Sequence, residues 1–172
     1  MIRRNVLWFI TVVVAALVQT TWVEQIAVSR VVPDLTLLTV VYFAMAIGEE
    51  RAMYTGVLGG VILDIASNET IGHFVLCYVI VGYTVARISA RMMTEHPAAK
   101  AILVFCAAIA FGLLWVAVAY VQDPSVAALN NIVARVVPGA FYTALFTPVL
   151  FFAMDRLFKR RKEWKLSGGL IG

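Results

Sequence analysis

Charge is what this chain has least of. Only 14% of its 172 residues are Asp, Glu, Lys or Arg and 62% are hydrophobic, whereas a soluble domain is about a quarter charged and about half apolar. That deficit excludes an ordinary water-soluble domain and leaves no stretch polar enough to form a separate catalytic one. Cysteine and histidine are equally scarce, at two each. On the helices assigned below, Cys77 and Cys106 fall near opposite ends of neighbouring apolar runs. At ~1.5 Å per residue they differ in depth by some ~15 Å or more, and a disulfide needs Cα atoms within about 7 Å. Both read as small apolar packers. His73 and His96 have no metal-ligand spacing. No GxSxG or HExxH motif occurs, and Asp34 and Asp64 lack the YD and GxGD surroundings of an intramembrane aspartyl pair. The sequence therefore offers no catalytic residue, no cofactor-binding residue and no metal site, and it reads as non-enzymatic. A net charge of +4 raises nucleic acid as a partner, but the basic residues gather at helix ends instead of interleaving with exposed aromatics. No nucleic acid is expected.

What the chain has instead is six apolar runs, at Asn5 to Val23, Val32 to Ile47, Ala52 to Ala66, His73 to Met92, Ala101 to Val121 and Ile132 to Phe158. With roughly 20 residues needed per spanning helix, the expectation is an all-α integral membrane protein of six transmembrane helices. They form one domain over residues 1–158, followed by a basic cytoplasmic tail at 159–172. The first run follows a positive segment as a signal peptide would, but no small-x-small cleavage site comes after it, so it reads as a retained helix. The second and third runs are short. Their alternative is a re-entrant hairpin turning at Gly48 to Ala52, which is tolerated where protein shields it from lipid. Placing the N-terminus inside puts every Lys and Arg except Arg30 and Arg135 on the cytoplasmic side, the asymmetry of the positive-inside rule. Both termini are then cytoplasmic, and Asp34 and Asp64 face outward.

The stretch Met53 to Asp64 is badly built for lipid exposure, because it carries Gly56, Gly59 and Gly60 and ends on a carboxylate. Gly56 and Gly60 form a GxxxG pair, which clears one helix face for a close neighbour; packing within the chain and contact with a partner both fit. In the last helix Pro138, Gly139 and Pro148 are able to free carbonyls and open a groove. Pro33 followed by Asp34 reads as a capped helix start. Asp64 has the opposite relation to its helix dipole, since a carboxylate in a last turn is disfavoured and an intramembrane acid needs water, a donor or a cation. Arg135, at the same expected depth, is the first candidate to pair with it and Arg30 the second. Asp34, Asp64 and Arg135 thus form an expected outer-side polar cluster. The tyrosines Tyr42, Tyr78, Tyr83 and Tyr120, with the tryptophans, read as interfacial anchors or packing.

The order of PDL at Pro33 to Leu35, GVLGGVILD at Gly56 to Asp64, IGHF at Ile71 to Phe74, GYTVAR at Gly82 to Arg87 and PGAFYTALFTP at Pro138 to Pro148 resembles MreD, the bacterial rod shape-determining membrane protein family, over essentially the whole chain. The resemblance implies a non-enzymatic scaffold of the cell-wall elongation machinery in the bacterial inner membrane. Its implied partners are MreC directly, and MreB, RodA and a class B penicillin-binding protein indirectly, with membrane lipid and a second copy of the chain as further contacts. It also implies a fold similar to the substrate-binding subunits of energy-coupling-factor transporters. A vitamin-binding transporter subunit is accordingly the alternative function, and it requires an enclosed polar pocket near Asp34, Asp64 and Arg135.

Overall fold

A computed structural model of the protein describes residues 2–21, 33–67, 71–91, 97–122 and 136–158. Among these the chain is all-helical, with six helices and no strand: α1 Ile2–Thr21, α2 Leu35–Ala46, α3 Glu49–Ala66, α4 His73–Ser89, α5 Pro97–Gln122 and α6 Val137–Phe158. Of these, α5 (from Ala98) and α6 are long and apolar enough to cross a membrane.

Helix ends are set by local chemistry. Asp34 lies in extended backbone and accepts the Leu37 N–H at 2.8 Å, which caps α2 and moves its start from the expected Val32 to Leu35. At the other end, the N–H groups of Ile47 and Gly48 both bond to the Phe43 carbonyl, at 3.0 and 3.2 Å. Gly48 holds φ at +119°, where a Cβ is strained, so the chain reverses in two residues. Then α3 begins at Glu49, not at Ala52. Glu49 and Glu50 occupy its first turn, where carboxylates complement the positive end of the helix dipole. Pro97 opens α5, at a position where its missing N–H removes no helical bond.

Pairwise contacts give each helix a direction. On α3 and α4 the approaches run in opposite senses, Gly82 beside Ala52, Gly56 beside Tyr78 and Gly60 beside Val75. The pairs Asn5–Arg51, Trp8–Thr55 and Val12–Gly59 make α1 parallel to α3. Tyr78 stacks on Phe111 and His73 on Trp115, so α4 and α5 are antiparallel, as are α5 and α6 through Phe105–Phe141 and Gly112–Val136. Consecutive helices therefore alternate, and α1 starts at the end of the bundle where α6 finishes.

The core is organised around α2. Every residue from Thr36 to Ala44 is buried, because α1, α3, α4, α5 and α6 all pack against it. The surrounding order is α1, α3, α4, α5, α6, and among the described residues α1 and α6 do not touch. With 12 residues α2 is about 18 Å long, well short of the ~30 Å of a bilayer core.

Candidate functional site

Five polar side chains from four helices meet at the start of α2. Asp34 caps the helix with one carboxylate oxygen and accepts from the Tyr78 hydroxyl on α4 with both, at 3.0 and 2.9 Å. Its backbone N–H donates to the Thr143 hydroxyl on α6 at 3.0 Å. Two residues on, the Thr36 N–H donates to Gln19 Oε1 of α1 at 2.7 Å. Tyr78 and Thr36 are fully buried and Thr143 nearly so, and the Tyr78 ring stacks on Phe111 with centroids 4.6 Å apart. Capping groups normally hold one helix end; here the cap also ties α2 to α1, α4 and α6. Among the described residues the Thr36 hydroxyl has no partner.

Asp64 performs a second cap. It is 3% exposed and accepts the Gly72 N–H at 2.9 Å, the Phe74 N–H at 2.9 Å and the Val75 N–H at 3.4 Å. A last-turn carboxylate that opposes its own helix dipole thereby faces the positive N-terminus of the next helix. The left-handed Gly72, with φ of +97°, aims the first amides of α4 at it. Nearby, buried His73 stacks on Trp115 and its Nε2–H donates to the Trp115 carbonyl at 3.1 Å, while Nδ1 has no partner among the described residues.

At the opposite end of the bundle the Tyr42 hydroxyl donates to Asp155 Oδ1 at 3.1 Å, inside a cluster of Phe43, Phe151 and Phe158. The two α2–α6 ties, at Thr143 and Asp155, make those helices parallel. Trp8 donates to Thr55 at 2.8 Å with Arg51 over its ring.

The expected site residues are distributed as follows. Asp34 and Asp64 both lie at the end of the bundle where α2 and α4 start, but among the described residues they share no hydrogen-bond partner, because each is used as a separate helix cap. Arg135 and Arg30 lie outside the described residues. Asp64 is met by backbone donors, so its position has a reason that does not depend on a cation. Gly56, Gly59 and Gly60 face inward: a Cβ at Gly56 would come 3.0 Å from the Tyr78 carbonyl carbon, at Gly60 2.6 Å from Val75 Cα, and at Gly59 2.5 Å from the Thr36 methyl. The seam is filled by α4 and α2 of the same chain. Pro138 and Gly139 sit in the first turn of α6, where proline costs no helical bond, so only Pro148 interrupts the helix interior. Cys77 is buried and Cys106 exposed, both as free thiols.

Tyr78, which the sequence marked only as an anchor or packing residue, completes the site with Thr143 and Gln19. The i, i+4 spacing of Phe74 and Tyr78 puts both on one helix face, a signal that Tyr78 is no isolated surface anchor.

Comparison with curated proteins and with solved structures finds no match. The family model described as rod shape-determining protein MreD matches residues 1–161. That span takes in all six helices, the Asp34 and Asp64 caps and the glycine seam, and the chain belongs to the MreD family of membrane proteins that determine rod shape.

Proposed function

We propose that the chain is a non-enzymatic, six-span scaffold of the cell-wall elongation machinery in the bacterial inner membrane, and that it maintains rod shape by binding MreC. Through MreC it is coupled to MreB, RodA and a class B penicillin-binding protein, and so to control of peptidoglycan synthesis. Family membership across residues 1–161 carries this reading. The geometry supports it in two ways.

First, the two carboxylates that a ligand site or a reaction would use are committed to helix ends and helix–helix ties: Asp34 to Leu37 and Tyr78, Asp64 to three backbone amides. This favours a rigid scaffold over the vitamin-binding alternative. Second, with helix directions alternating, Arg51, Arg87, Arg91, Lys100 and Arg156 all belong to the end where α1 starts, and among the described residues no Lys or Arg belongs to the other. That asymmetry supports cytoplasmic termini and an outward-facing Asp34 end. Arg135 remains the proposed cationic neighbour of the outer acids, and a second copy of the chain a proposed further contact.

The test is co-purification of the full chain with MreC from the membrane, alongside complementation of a strain lacking the protein. Capture of MreC and restored rods are expected. Failure to capture MreC, with rods restored all the same, sinks the MreC assignment.

A further inference from the structure

At the end of the bundle where α6 finishes, the last turn of α4 and the turn after it line a surface feature whose chemistry the scaffold reading does not use. A shallow surface cleft of about 330 Å³ is lined by Tyr83, Thr84, Arg87, Ile88 and Arg91, at the lower end of the roughly 300–1,000 Å³ of small-ligand sites. Arg87, in the last turn of α4, and Arg91, in the turn that follows it, where its N–H bonds to the Ile88 carbonyl at 3.0 Å, bring two positive charges to it.

Arg87 is pre-positioned. Its Nε lies 2.9 Å from Glu49 Oε2 and donates to the Tyr83 hydroxyl at 3.1 Å, with the guanidinium carbon 5.3 Å from the centre of the Tyr83 ring. These contacts use the Nε edge and leave the fork of terminal nitrogens for a bidentate acceptor, the geometry that suits a phosphate. Arg91 is exposed, and its side chain has no partner among the described residues. The Thr84 hydroxyl donates to the Ile80 carbonyl at 2.7 Å, so the donors the cleft offers an anion are those of the two arginines.

The chemistry of the neighbouring surface narrows the anion. From the cleft an exposed apolar stripe of Ile88, Ile80 and Leu76, 41%, 39% and 48% exposed, continues along α4 toward the middle of the bundle. A charged head at the helix end joined to an apolar path along the helix matches an amphiphile, not a soluble anion. We infer that the Arg87–Arg91 cleft binds the phosphate of an anionic phospholipid, with an acyl chain laid along Ile80 and Leu76. The role is separate from partner binding.

The experiment uses the full chain in nanodiscs of phosphatidylcholine with a minor fraction of phosphatidylglycerol, followed by native mass spectrometry of the retained lipid. Wild type is expected to keep phosphatidylglycerol in preference to phosphatidylcholine. Arg91→Gln is expected to reduce that retention about five-fold, the equivalent of one cationic contact at an anionic surface, and Arg91→Lys to keep most of it. Arg91 ties no helices together among the described residues, so its variants test the site without loosening α3 from α4. Equal retention by wild type and Arg91→Gln overturns the proposal, as does equal retention of the two lipids by wild type. Displacement of the lipid by millimolar glycerol phosphate assigns the cleft to a free phosphoryl group and overturns the lipid assignment.

Discussion

The Tyr78 hydroxyl straddles the Asp34 carboxylate, 3.0 Å from one oxygen and 2.9 Å from the other. A cap that would ordinarily stabilise only the start of α2 is thereby fastened to α4. The remaining bonds of the cluster reach α1 and α6, so the position of the central helix is specified by polar contacts at one end and by aromatic packing at the other.

Removing the Tyr78 hydroxyl leaves a buried carboxylate short of a donor. Tyr78→Phe is expected to destabilise the protein by about 1–3 kcal/mol, read as a fall in the midpoint of thermal unfolding in detergent. Asp34→Asn keeps a capping oxygen and should lose less than Asp34→Ala, which removes the cap and orphans the tyrosine as well. The opposite ranking would mean that the carboxylate is not serving as the cap.

Asp64→Ala strips the acceptor from the amides of Gly72, Phe74 and Val75. Hydrogen exchange at those three positions should accelerate, while the middle of α4, around Val81 and Val85, keeps its protection. Asn at 64 restores one acceptor oxygen where Asp64 uses both, and its Nδ2 would face a backbone N–H, so it is expected to protect either Gly72 or Phe74 but not both. Full protection of both by Asp64→Asn would mean that the second oxygen is not serving as an acceptor.

The glycine seam separates backbone from side-chain neighbours. At Gly60 an added methyl meets the Val75 backbone, which cannot yield, so Gly60→Ala should cost about 1–3 kcal/mol or more. At Gly59 the obstacle is the Thr36 methyl. Gly59→Ala should therefore be rescued in part by Thr36→Ser, which deletes that methyl, whereas Gly60→Ala should not. Since the seam is internal, MreC capture should fall only in step with thermal stability; loss of capture by a variant of normal stability would make it an interface.

Pro148 lacks the N–H that would bond to the Ala144 carbonyl, and it lies on the exposed side of α6. Pro148→Ala is expected to raise the unfolding midpoint. If the rods of the complemented strain are lost despite that gain, the interrupted turn serves partner contact.

The six apolar runs were legible because a chain this poor in charge must bury or immerse them, and the breaks between runs mark the helix ends to within a few residues. The start of α5 lies four residues before the expected Ala101, at Pro97, and that of α3 three before Ala52, because two acids after a glycine are a helix start. Asp34 was readable as a cap from Pro33 beside it. Asp64 was readable as a residue in need of a partner. Its partners were not, because backbone amides have no letter in the sequence, whereas cations such as Arg135 do. Tyr78 was passed over for a related reason: a buried tyrosine and an interfacial one are spelled alike, and only depth distinguishes them. GxxxG announced a close approach without saying whose backbone approaches.

The length of α2 makes the interior of the molecule dependent on its neighbours. A segment of 12 residues is about 18 Å long and falls short of a bilayer core by itself, and its two-residue connection holds it against α3. Phe111, Thr143 and Asp155 join α5 and α6 to the rest, so a defect in those contacts should loosen only the last two helices. A defect in the α2–α3 hairpin should instead withdraw the one element on which all five others pack.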